Sequence, residues 1–94
     1  MLQKIKKYFN AKIVKIYDNT RQHKNQNQKK HLTIVIISDV FIKQNILNRH
    51  QDVYNLLSKE MHTTIHALSI HTYTINEWKK YYIKNIKNTN CHQF

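Results

Sequence analysis

Apolar positions recur along this chain with a period that switches between that of a helix and that of a strand, and the switches divide it into elements. Leu2, Ile5 and Phe9 fall at i, i+3 and i+7, one stripe of a short amphipathic helix. Over 11–18, Val14 and Ile16 flank Lys15, the alternation of a half-buried strand. Residues 19–30 contain nothing apolar, which predicts a solvated loop. Within 32–38 the unbroken run Ile34, Val35, Ile36, Ile37 predicts a strand covered on both faces, hence central in its sheet, and Ser38-Asp39 ends it. Residues 41–47 read as an irregular apolar connection.

Asn48, with Gln51 at the N3 position, then predicts a helix start. Val53, Leu57 and Met61, with Tyr54 and Leu56 beside them, give that helix one buried stripe reaching Met61. Residues 65–72 read as a third strand. Thr74-Ile75-Asn76-Glu77 has the form of a capping box, and Ile75, Trp78, Tyr82 and Ile86 continue it as the apolar face of a last helix. Past Ile86 the pattern stops, so 1–86 is expected to form the domain and 87–94 a frayed tail. The order is helix, strand, strand, helix, strand, helix: a single small α+β domain with a three-stranded sheet packed on helices.

A chain of 94 residues buries roughly 60 to 70 % of its unfolded surface, which favours a small binding or adaptor module over an enzyme with a deep cleft. Its five acidic residues are scattered, and Glu77 and Asp39 are accounted for by capping and strand termination, so no acid–base pair or activated nucleophile is expected. The single cysteine, Cys91, cannot form an intramolecular disulfide, which points to a reducing compartment. No segment approaches the ~18 apolar residues of a membrane helix, and Met1 to Lys7 has no apolar core behind its lysines. The expectation is a soluble, cytoplasmic protein without membrane attachment.

Net charge is +11, from 16 Lys and Arg against 5 Asp and Glu, a balance that ordinarily signals nucleic acid or an acidic partner. Here it is discounted: arginine occurs only at Arg21 and Arg49, glycine and proline are absent, and Lys, Asn, Ile and Tyr abound, the imprint of AT-biased coding. Arginine, with its bidentate fork, is the usual reader of guanine and phosphate.

Candidate chemistry gathers between residues 62 and 78, where His62, His66 and His71 surround a short apolar strand that runs into a helix cap. Imidazole is a common neutral ligand for transition metals and titrates near neutrality. A zinc site lacks support, since neither a CxxC pair nor an HExxH helix occurs. Against a ligand role for His66 stands its strand parity with Leu68 and Ile70, which suits a packed residue; His71 points the opposite way in a regular strand. His62 and His71 read as surface or packing residues, and Cys91-His92 falls in the tail.

Phe41 and Leu47-Asn48-Arg49-His50, followed by Thr64-Ile65-His66-Ala67-Leu68-Ser69-Ile70-His71-Thr72-Tyr73-Thr74 and Glu77-Trp78, resemble the BolA family from the first strand to Trp78. The resemblance implies a class II KH-like fold, a monothiol glutaredoxin as partner, and stress-linked regulation credited with DNA binding. It further implies a [2Fe-2S] cluster held between the two proteins, one iron bound by the glutaredoxin cysteine and glutathione, the other by two residues of the BolA-like chain. The family's C-terminal ligand falls on His66 and its loop ligand on His23, with His31 as fallback. Imidazoles in place of thiolates raise a cluster's potential and expose its binding to proton competition near the free histidine pKa of ~6.5.

DNA binding is the rival expectation. KH domains clamp nucleotides with a GXXG loop, and this chain has no glycine; Lys43 stands where similar proteins carry one. Lys43, Arg49 and His50 at the helix start are the candidate phosphate contacts or partner surface, and a helix-start hydrogen-bond network is the competing role for Arg49 and His50. Whether the chain alone is a homodimer stays open.

Overall fold

β-branched residues concentrate in the segments that become strands. The structure, a computed structural model, describes residues 1–20 and 30–89. In it β1 (Ile13–Asp18) pairs antiparallel with β2 (Lys30–Ile37), and β2 pairs parallel with β3 (Ile65–Tyr73), so the sheet order is β1-β2-β3. The unbroken Ile34 to Ile37 run is thus the central strand, but it is not fully covered on both faces: Ile34, Ile36 and Ile37 are buried and Val35 is half-buried.

Helix α1 (Leu2–Tyr8) turns Ile5 inward, and Phe9 follows it into the core. These two join Ile34 and Ile36 of β2, Ile70 of β3, Phe41, and Val53 and Leu57 in one cluster of buried side chains. Complete burial of such side chains stabilises by roughly 1.5–3 kcal/mol each. The stripe read from Leu2, Ile5 and Phe9 is therefore real, although Leu2 stays exposed.

The middle of the chain departs from the periodic reading. The 41–47 connection is preceded by a 3-10 turn over Asp39–Phe41, capped by Ser38, whose hydroxyl accepts from the Val40 N–H at 3.1 Å and donates to the Phe9 carbonyl. Asn45, not Asn48, caps the following helix: its extended backbone and its side-chain oxygen, 2.8 Å from the Asn48 N–H, are the N-cap geometry, and Asn48 is the N3 residue it serves. One helix through Met61 was expected; instead α2 (Ile46–Leu56) breaks at Leu57, and α3 (Ser58–Thr63) follows. Leu57 is fully buried, and the break keeps it in the core while α3 turns to meet β3. Met61 is only half-buried.

The capping box at Thr74 forms in both directions: the Thr74 N–H donates to Glu77 Oε1 at 2.8 Å and the Glu77 N–H to Thr74 Oγ1 at 3.1 Å. Helix α4 (Ile75–Thr89) continues three residues past the expected boundary at Ile86, because propagating an existing helix costs far less than starting one. Residues 90–94 of the expected tail, with Cys91 and His92, and the side chain of Ile86 lie outside the described residues.

Candidate metal centre

A slip in the parallel ladder builds the site. Lys30 pairs with Ile65 but His31 pairs with Ala67, which leaves His66 as an extra residue of β3. Such a bulge breaks alternation and re-aims a side chain. Ile65 is buried, His66 is exposed, and His66 does not follow Leu68 and Ile70 toward the core as its parity suggested. Its ring lies 5.2 Å from that of His31, tilted by 31°.

The fallback ligand His31 is thus the neighbour of His66, and both rings are exposed. His23 falls within 21–29, outside the described residues. The chain on either side of that segment is pinned at His31: the His31 N–H donates to Thr20 Oγ1 at 3.0 Å, and the Asn19 N–H donates to the His31 carbonyl at 2.7 Å. Among the described residues no group of three or more His, Cys, Asp or Glu side chains could hold a metal ion.

The other histidines stand apart. Nδ1 of His62 lies 2.7 Å from the Ser58 carbonyl one turn back in α3, a local contact. His71 pairs with Val35 in β2, so it shares a sheet face with His31, contrary to the regular-strand expectation for its relation to the His66 site. It sits four residues further along, roughly 13 Å away, and takes no part in the pair. His50 is half-buried; burial first, then the charges of His71 and Arg49, lower its pKa from the usual 6.5.

Arg49, singled out with Lys43 and His50 as a phosphate or partner contact, turns inward. It is 4 % exposed and takes the helix-start network role. Its Nε donates to the Gln44 carbonyl at 2.9 Å, Nη2 to the Phe41 carbonyl at 2.9 Å, and Nη1 and Nη2 to Glu77 Oε1 and Oε2 at 2.7 and 3.1 Å. The guanidinium also lies over the Phe41 ring, 5.5 Å from its centroid. One side chain therefore ties the start of α2 to the 3-10 turn and to the first turn of α4. Lys43 remains at the surface among exposed Val40, Ile42, Ile46 and Leu47, an apolar edge that the reading of 41–47 as a connection passed over.

A mixed three-stranded sheet and helices packed through one core define a small α+β domain that carries an exposed pair of imidazoles. No helix among the described residues is long and apolar enough to cross a membrane. Residues 5–77 match the family model of BolA-like protein. The chain is 42 % identical over 95 residues to an uncharacterized protein of Buchnera aphidicola from Acyrthosiphon pisum, covering 96 % of this chain and 91 % of the relative. It is 36 % identical over 78 residues to the DNA-binding transcriptional regulator BolA of Escherichia coli, covering 82 % and 74 % respectively. The solved structure of BolA1 from Arabidopsis thaliana superposes with a TM-score of 0.71 at 35 % identity, over 80 % of this chain and 87 % of that one. The chain belongs to the BolA family.

Proposed function

We propose that this chain is a BolA-family adaptor and regulator that binds a monothiol glutaredoxin and shares a [2Fe-2S] cluster with it. The observation that carries the reading is the exposed His31 and His66 pair, which offers two neutral ligands and needs the rest from a partner. His66 is one ligand, and His31 or His23 the second; the glutaredoxin cysteine and glutathione serve the other iron. When bound, such a cluster supplies one-electron redox chemistry at a potential raised by imidazole ligation. The chain itself supplies orientation: the bulge aims His66, and the β2 ladder with the Thr20 and Asn19 contacts fixes His31. A reducing, cytoplasmic setting belongs to the same reading, since glutathione keeps thiols reduced there.

Coexpression with a monothiol glutaredoxin is the test. A coloured complex is expected, and His66→Ala changes its spectrum and lowers its iron content. An unchanged spectrum and iron content in that variant overturns the ligand assignment. His31→Ala and His23→Ala, compared side by side, identify the second ligand.

The second reading is regulation by DNA binding, favoured by the name that the Escherichia coli relative carries and by the net charge of +11. With Arg49 engaged inside, phosphate contact at the start of α2 rests on Lys43 and on half-buried His50. Specific regulation predicts that one duplex sequence is preferred and that Lys43→Ala weakens it. Equal affinity for all duplexes, falling together with salt, leaves only lysine charge.

A further inference from the structure

Helix α4 carries an aromatic group that the core does not absorb. The rings of Trp78 and Tyr81 stack at 5.6 Å and 28°, and Tyr82 lies 6.1 Å from Trp78. Tyr73 of β3 closes the group, 5.4 Å from Trp78 and 5.3 Å from Tyr81. Tyr73 and Trp78 are half-buried, whereas Tyr81 and Tyr82 remain 45 % and 53 % exposed. The half-buried inner rings thus back the exposed outer ones. A face expected to enter the core at Tyr82 presents aromatic rings to water instead.

Lysines flank the rings. Lys79 precedes Tyr82 by three residues and Lys84 follows Tyr81 by three, the spacing of surface neighbours on a helix. Both are exposed, and among the described residues neither is in an ion pair. Glu77, the acidic residue of the helix's first turn, is committed to Arg49 and Thr74. Flat rings with unneutralised ammonium groups on both flanks are complementary to unpaired bases on a phosphate chain.

We propose that this face of α4 binds single-stranded DNA, with bases stacking on Tyr82 and on the Trp78 and Tyr81 pair while Lys79 and Lys84 meet phosphates. A duplex is excluded from this mode because its base faces are already stacked on one another. The rings address base faces and the lysines phosphates, so the contact does not require the 2′-hydroxyl that marks RNA. Lysine suits a contact that positions without reading sequence. The surface uses none of His31, His66 and Lys43, so it stands independently of the cluster reading.

Trp78 is the chain's single tryptophan and sits within the surface, so its fluorescence reports occupancy directly. Titration of the full chain with a 16-nucleotide oligothymidylate at low salt is expected to quench Trp78, with tighter binding than to a duplex of equal length. Tyr82→Ala is expected to weaken binding by about 5-fold or more, and Tyr82→Phe, which keeps the ring, to leave it near the native value. The charge reversal Lys79→Glu with Lys84→Glu, checked by circular dichroism for a native fold, is expected to abolish quenching. Equal affinity for duplex and single strand overturns the proposal, as does native-like binding by folded Tyr82→Ala or tighter binding of the matching RNA strand.

Discussion

The imidazoles of His31 and His66 lie 5.2 Å apart because β3 uses one residue more than β2 over the first step of their ladder. Without that bulge His66 would alternate with Leu68 and Ile70 on the core side, and His31, paired with Ala67, would face the opposite way. The pair is therefore a product of backbone register, held by main-chain hydrogen bonds rather than by side-chain packing. If the chain shares a cluster with a glutaredoxin as proposed, replacing His31 by Ala is expected to lower cluster retention in that complex by at least ~10-fold, the scale set by loss of a ligand or of a group supporting one. Iron content after gel filtration measures it. Retention equal to the native chain removes His31 from the site.

Arg49 and Glu77 make a different kind of bond, between the starts of two helices. Arg49→Ala leaves the Phe41 and Gln44 carbonyls without their guanidinium donor and is expected to cost about 2–4 kcal/mol of stability. Arg49→Lys recovers only part of this, since an ammonium cannot span the carbonyls and both carboxylate oxygens at once. The urea midpoint is the measurement, and a shift equivalent to less than ~0.5 kcal/mol, the usual surface value, contradicts the role.

The same bond gives the fold an acid-sensitive limb. The hydrogen bond from Arg49, opposed by burial and helped by the Thr74 N–H, holds Glu77 below its ordinary pKa of 4.5. A carboxylate whose pKa is depressed in the folded state adds stability that is present above 4.5 and disappears as pH falls through the folded value. Stability measured downward from pH 5 is therefore expected to fall less steeply in Glu77→Gln than in the native chain. Parallel slopes in the two proteins contradict the assignment.

His50 titrates in the opposite chemical sense but with the same sign for stability. Burial, then His71, then Arg49 favour its neutral form, so the contribution is present above 6.5 and is lost as pH drops through the lowered folded value. In an NMR titration its midpoint is expected below 6.5 and is expected to rise in His71→Ala. A midpoint that ignores His71 shows that the two rings do not sense each other.

Much of this fold was legible because it is written over short distances. The alternation at Val14 and Ile16, the unbroken run at Ile34 to Ile37 and the reciprocal Thr74 and Glu77 cap each depend on neighbours within a few residues, and each forms where the pattern placed it. Family resemblance singled out His66 and offered His31 as its alternative partner. The cap at Asn45 is not legible in the sequence, because two asparagines three residues apart both satisfy the sequence rule and only the backbone at Asn45 distinguishes them. The break at Leu57 leaves no mark in the sequence, because the apolar stripe runs on without interruption.

What the sequence determined by itself was the type and order of the elements and the core faces of α1, β1 and β2, since periods of two and 3.6 follow from the local geometry of strand and helix. The tertiary structure alone decided that His66 faces solvent beside His31, that Arg49 is buried against a carboxylate 28 residues away, and that Tyr81 and Tyr82 stay outside the core. Register, ion pairing across elements and the docking of a helix are relations between segments. They are fixed only when the segments meet, and no single stretch of chain carries them.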